Sequence, residues 1–222
     1  MLDRRKLLFA ATALAGHSAL ARAAVPYEWQ TTPPAEAGFA PDVGERLDQF
    51  ILSGQAPNIH GVVIVRRGRL VVESYFEGDD QVRDENGRAH SERVAFSAVR
   101  GHELRSVSKS IVGLLYGIAL RDGKVPPLDE PLLDQFPHYT DLPDLSQRRR
   151  WTVKHAITMT LGIDWNEDIS YDDPRSGQTA MDRAADPYRH VLEQPLVAQA
   201  GERWIYCGGA TALIGKILEN GT

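Results

Sequence analysis

The hydrophobic positions of this chain change their pattern several times, and each change predicts an element. The first pattern is an unbroken, alanine-rich apolar run from Leu7 to Leu20. Arg4, Arg5 and Lys6 precede it and Ala21-Arg22-Ala23 follows. A charged start, a short apolar run and a small-x-small site are the layout of an export signal, and the run is too short for a comfortable membrane span. Residues 1–23 are therefore expected to be a signal peptide, with an uncleaved amphipathic anchor as the alternative. The paired arginines before Leu7 and Leu8 also allow a twin-arginine signal. No cysteine follows the run, which argues against a lipoprotein.

After a proline-rich lead-in, Asp42 can cap a short helix that places Val43, Leu47 and Phe50 on one side. Val62 to Val65 and Leu70 to Val72 are β-branched and apolar runs around Arg66-Arg67-Gly68-Arg69, which predicts a hairpin over 61–76. Residues 77–92 are polar and glycine-bearing and read as a loop.

From Ser106 to Arg121 the period becomes helical: Val107, Ile111, Leu114 and Ile118 recur at steps of four, three and four. Val112, Leu115 and Ala119 widen the apolar face, which predicts a buried helix. Gly113 and Gly117 cost about 1 kcal/mol each against alanine, and their spacing would let another backbone approach. Asp122-Gly123 should end this helix. Residues 124–145 carry five prolines and no period. Thr152 can cap a second helix closed by Gly162. The acidic stretch 164–186 reads as a solvated loop, because its spacing does not match an EF-hand. A last helix is expected over about 210–219. The sum is an α/β (α+β) architecture, with an antiparallel sheet begun by the 61–76 hairpin and a helical region beside it.

Composition narrows the functions. The 222 residues hold 25 Lys or Arg against 30 Asp or Glu, a formal charge of −5. Removal of residues 1–23 takes away four basic residues and one acid and leaves −8. An acidic chain without a basic stripe argues against a nucleic-acid partner. Cys207 is the sole cysteine, which excludes an internal disulfide and any zinc site of cysteine pairs. No cofactor or metal is implied, no membrane span is expected after signal cleavage, and the oligomeric state is left open.

Several chemistries are missing by motif: no Gly-x-Ser-x-Gly, no His-Glu-x-x-His and no phosphate-cradling glycine loop occur. One constellation stands. Ser106 and Lys109 form Ser-x-x-Lys, and residues three apart share a helix face. A desolvated lysine can be neutral near pH 7, take the serine proton and leave an alkoxide-like nucleophile. The free N–H at a helix start supplies half of an oxyanion hole. With 5 lysines and 11 serines, chance supplies roughly a quarter of such a pair. The position matters more, because the pair opens the most apolar helix. The alternative is a capping serine with its lysine reaching to water. Tyr206, in Trp204-Ile205-Tyr206-Cys207-Gly208-Gly209, could relay the proton to a leaving group, or simply pack in the core.

These residues resemble the serine β-lactamase and penicillin-binding-protein superfamily, in particular class C β-lactamases, the related esterases and the 6-aminohexanoate-dimer hydrolases. Leu104 to Gly113 is similar to the nucleophile segment. Asp122 to Val125 with Leu128 to Pro131 resembles the stretch that follows it. Met159 to Trp165 resembles Met-Thr-Ser-Gly-Leu-Asp-Trp, and Gly201 to Leu218 resembles Pro-Gly-x-x-Trp-x-Tyr-Ser-Asn with its helix. The resemblance covers about residues 55–222, so residues 24–222 are read as the N-terminal portion of such a hydrolase domain. It implies a β-lactamase/transpeptidase-like fold, an antiparallel sheet flanked by helices, with a helical region carrying the nucleophile. Ser106 becomes the acylated nucleophile, Lys109 its activating partner and Tyr206 a proton-transfer residue. Trp165 and Tyr171 become candidate walls of a substrate cleft, with ordinary loop packing as the alternative.

Three departures shape the expected function. Gly208 occupies the asparagine position of Tyr-x-Asn, so the amide that holds a substrate carbonyl is missing. This favours an ester or amide substrate over a β-lactam. Leu161 replaces a serine, a packing change. The third motif, Lys-Thr-Gly or His-x-Gly, has no counterpart before Thr222. The expected sheet is accordingly incomplete, and a chain of this extent should be poorly active or inactive. The reading is a periplasmic or secreted serine hydrolase acting on a small ester or amide through an acyl-serine. A penicillin-interacting peptidase or lactamase is the second reading, and a non-catalytic remnant used as a binding module the third.

Overall fold

Arg67 (φ 52°) and Gly68 (φ 75°) both adopt the left-handed backbone of a type I′ turn, whose twist matches that of paired strands. They join β1 (Gly61–Arg66) to β2 (Arg69–Tyr75), which pair antiparallel from Gly61↔Tyr75 to Arg66↔Arg69 with one irregularity between Ile64 and Val65. A computed structural model of the chain describes residues 28–83, 89–171 and 173–222; the expected signal at 1–23 lies outside them. The chain divides into two units, Met1–Gly101 and His102–Thr222.

In the first unit, α1 (Val43–Leu52) buries Ile51 and half-buries Val43 and Leu47. The stripe therefore runs in steps of four, and Phe50, expected inside, is exposed. Val72 of β2 meets Gly44 of α1, so helix and hairpin share one small core. The segment before α1 adds a further rung: Leu70 N–H donates to Gln30 C=O and Thr32 N–H to Leu70 C=O, both at 2.9 Å.

The polar loop expected over 77–92 is instead a second antiparallel hairpin, β3 (Glu77–Arg83) with β4 (Ala89–Ala95). Its strands are polar because one face is solvated. Gly78 and Val94 pair across the ladder and are buried, while Arg93 on the other face sits 3.7 Å from Asp79 and 3.9 Å from Glu77. A ladder held by backbone bonds needs only alternate positions to be apolar.

The second unit is helical. α2 (Val107–Arg121) ends at Gly123 (φ 68°), with Lys124 N–H returning to Ala119 C=O. A 3₁₀ turn (Leu132–Gln135) and α3 (Leu145–Arg148) punctuate the proline-rich stretch. The fully buried Arg148 guanidinium donates to the carbonyls of Pro143 (2.6 Å) and Gln194 (2.8 Å), lies over the Trp151 ring, and has its pKa lowered by that burial. α4 (Val153–Ile157) is shorter than expected, because Met159 turns to φ 56° well before Gly162. The stretch read as a solvated loop contains α5 (Gly177–Arg183), with Ser176, Thr179 and Met181 buried; α6 (Pro187–Leu192) follows. α7 (Gly208–Gly221) closes the unit and buries Leu213, Ile214 and Ile217. Each such side chain contributes about 1.5–3 kcal/mol.

α2 departs most from expectation. Only Tyr116 and Ala119 are buried, on the side that packs against α7. Val107, Ile111, Leu114, Leu115 and Ile118 are exposed, Leu114 to 63%. Nothing approaches Gly113 or Gly117 among the described residues, so their spacing does not serve a close backbone contact here. The strong period is real, but the face it marks is not the face this unit covers. No helix among the described residues is long and apolar enough to cross a membrane.

Candidate active site

The backbone tightens immediately before α2. Arg105 sits at φ 47°, a strained value for a side chain with a Cβ. Val107 N–H then donates to Leu104 C=O, Ser108 to Arg105 and Lys109 to Ser106, a first turn of i→i+3 bonds. The N–H of Ser106 precedes Val107's, at the positive end of the helix dipole. Ser106 makes no side-chain capping bond. Its Oγ instead accepts from Lys109 Nζ at 3.0 Å.

Two side chains from other segments meet Lys109. Its Nζ lies 4.8 Å from the centroid of the Tyr206 ring and 3.9 Å from Glu167 Oε2. Its side chain is only 18% exposed. Tyr206 arrives there because the chain segments 159–163 and 196–205 run side by side. Ile205 N–H donates to Met159 C=O, Gly201 to Thr160, and Ile163 bridges Leu196. The left-handed Met159 and Gly162 set this path. A Cβ on Gly162 would strike the Ala198 carbonyl oxygen.

Cys207 follows as the cap of α7, its Sγ accepting from Ala210 N–H at 3.2 Å. Burial pushes the thiol up to about 12, a neighbouring bond to Ala210 N–H working the other way. Cys207 is thus a neutral packing group and not a rival nucleophile.

Gly208 is buried, and its N–H donates to Glu167 Oε1 at 2.5 Å. The same oxygen accepts from the Trp165 indole at 2.6 Å. Trp165 is clamped by two glycines: a Cβ on Gly177 would fall 2.6 Å from its ring, and one on Gly209 2.7 Å. The indole therefore serves packing and the orientation of Glu167, with 7% of its surface exposed. Tyr171 lies apart, 52% exposed, its carbonyl accepting from Thr179. Leu161 is buried and its carbonyl takes the Trp151 indole.

Ser106, Lys109, Tyr206, Gly208 and Trp165 thus converge, and Tyr171 does not. Glu167 is the residue that pattern reading missed, counted among the acids of a solvated loop. The signal was local: an acid two positions after a tryptophan whose indole needs an acceptor. Among the described residues, no group of three or more His, Cys, Asp or Glu could hold a metal ion.

Helices with small antiparallel hairpins make up a β-lactamase/transpeptidase-like fold whose sheet is incomplete. The chain belongs to the Beta-lactamase family, whose model matches residues 47–222. It is similar to the 6-aminohexanoate-dimer hydrolase of Paenarthrobacter ureafaciens, 26% identical over 215 residues, covering 87% of this chain and 53% of that protein. Among solved structures it resembles a class C beta-lactamase in complex with cefoxitin (TM-score 0.54, 16% identity, 84% of this chain and 45% of that one). It also resembles a Bacillus anthracis protein provisionally named a 6-aminohexanoate-dimer hydrolase (TM-score 0.53, 14% identity, 88% and 49%). The chain spans about half the length of the relatives it matches.

Proposed function

We propose that this chain carries the serine–lysine portion of a hydrolase that cleaves a small ester or linear amide through an acyl-Ser106 intermediate. The observation that carries the reading is the 3.0 Å contact between Lys109 Nζ and Ser106 Oγ, with the Tyr206 ring on the same amine. In the acylation step, which requires Lys109 in its unprotonated form, Oγ attacks the carbonyl carbon and its proton passes to the Lys109 amine. The Ser106 N–H steadies the developing oxyanion. As the carbonyl–leaving-group bond breaks, the proton moves on, through Lys109 or Tyr206, to the departing alkoxide or amine. Water then attacks the acyl carbon, the Oγ bond breaks, and the acid leaves with Ser106 restored.

The missing side chain at Gly208 and the likeness to a dimer hydrolase favour a linear ester or amide over a β-lactam. Residues 1–23 would direct export to the periplasm or beyond, which N-terminal mass analysis of the mature protein checks. For the chemistry, the test is a fluorophosphonate probe on purified chain. Labelling that disappears in Ser106→Ala is expected; a well-folded chain that takes no label overturns the reading and favours a non-catalytic binding module. Rapid acylation of Ser106 by penicillin, with no turnover of p-nitrophenyl esters, would move the substrate class to β-lactams.

A further inference from the structure

Gly208 offers no side chain toward Lys109, and another group occupies the space. A Cβ on Gly208 would fall 2.7 Å from Glu167 Oε1 and nearer still to Gln178 Oε1. Gln178 shares that space, its Nε2 donating to Asp182 at 2.8 Å while its Oε1 faces Gly208. Glu167 is not free to leave, because Trp165 and Gly208 both donate to Oε1. Its Oε2 is buried, makes no hydrogen bond, and points toward Lys109 Nζ from 3.9 Å, with 2% of the side chain exposed. An ionised oxygen kept from water without a hydrogen bond costs free energy that packing alone does not return. Its placement is accounted for by the ammonium it faces.

We propose that Glu167 is a positioning residue of this site: from a separate loop it fills the space that Gly208 vacates and holds the Lys109 amine against Ser106 and Tyr206. The amine meets the Ser106 hydroxyl, the Tyr206 ring face and the Glu167 carboxylate. The carboxylate fixes the direction from which Lys109 meets Oγ, a task for which a side chain at position 208 is then unnecessary. The groups facing the amine are Ser106 from its own helix, Glu167 from the loop after α4, and Tyr206 and Cys207 from the segment before α7. The Cys207 thiol is uncharged, so Glu167 brings the one negative charge among them.

The part of this inference that concerns chemistry rests on the serine–lysine reading above; the part that concerns space does not. Two experiments on the full chain separate them. In the first, Glu167→Gln keeps the size and the acceptor for Trp165 and Gly208 but removes the charge. Its maximal rate of fluorophosphonate labelling should fall about tenfold or more, with the half-saturating probe concentration within about twofold. A Gln variant with the parent's maximal rate overturns the positioning role. In the second, Gly208→Ala should lower Tm by several degrees in the parent, and by much less in a Glu167→Ala, Gln178→Ala background, because contacting residues do not add. Additive Tm shifts overturn the claim on space. A parent chain that takes no label defeats the functional reading, and the Tm cycle then decides the spatial claim by itself.

Discussion

Replacing Lys109 by methionine removes the amine and keeps most of the stem, and the geometry assigns the change two effects of different kinds. The chemical effect follows from the 3.0 Å contact with Ser106 Oγ. A positioned base supplies about 10²–10⁴ in rate, so labelling should fall at least about 100-fold, or about 2.7 kcal/mol at 1.36 kcal/mol per decade. The structural effect follows from Glu167, whose buried Oε2 loses the Lys109 cation it faces. Breaking a buried pair costs about 3–5 kcal/mol. Here the cost is smaller, because Oε1 keeps two N–H donors and water reaches the 18%-exposed Lys109 side chain. A loss of about 2 kcal/mol, or roughly 4–8 °C in Tm, is expected. The double variant Lys109→Met, Glu167→Gln restores most of that stability, because a neutral amide needs no counter-charge, and none of the rate. Thermal denaturation and probe kinetics on parent, single and double variants measure both. A single variant as stable as the parent, or a double variant no more stable than the single, would falsify the ion pair.

Three further outcomes test the fold. Burial, with the Lys154 charge behind it, lowers the pKa of His155, whose Nδ1 accepts from Thr152 N–H in the cap of α4. The unfolded imidazole takes its proton near 6.5, so this stability is complete above that pH and is lost as pH falls through the lower folded value. Melting curves from pH 7.5 to 5 should show the loss, and His155→Gln, which keeps an acceptor in the capping box, should flatten it. Gly162→Ala should cost at least about 2 kcal/mol, since φ is 76° and the Cβ meets a backbone carbonyl; urea midpoints measure it, and a neutral result contradicts the described path of residues 159–163. Leu114→Ser should change stability by no more than about 0.5 kcal/mol, whereas a buried leucine would cost about 2–5 kcal/mol.

The hairpin over 61–76, the helix after Ser106 and the last helix were readable because each combines an unambiguous period with its own stop signal. Gly68 supplies a turn and Gly123 a helix end at positive φ, and both are written in residue type. The second hairpin was not readable. Gly78, Asp79 and Asp80 are turn residues by composition, yet they sit in β3, where the ladder and one buried face outweigh propensity. Burial of α2 failed for a different reason. Periodicity tells which residues share a face, and only the neighbouring elements tell whether that face is covered; α7 covers Tyr116 and Ala119 and leaves Leu114 out.

The site shows the same division between what is local and what is not. Ser106 and Lys109 are three residues apart, so helix geometry alone brings them together, and the pair was legible without coordinates. Glu167 is separated from Lys109 by 58 positions and from Gly208 by 41, and no local period links positions so far apart. In composition it is one acid among many between 164 and 186, and a solvated role was the sound expectation there. What singles it out is subtraction. Gly208 removes a side chain from a crowded, buried position, and a void beside a buried ammonium is costly, so some other group had to enter. The indole two residues earlier fixed which one, because Trp165 is itself clamped between Gly177 and Gly209 and its N–H points to a single carboxylate. A glycine in place of a polar side chain is therefore informative when read as a pair with whatever fills its space, and loss of an amide at position 208 need not mean loss of order around Lys109.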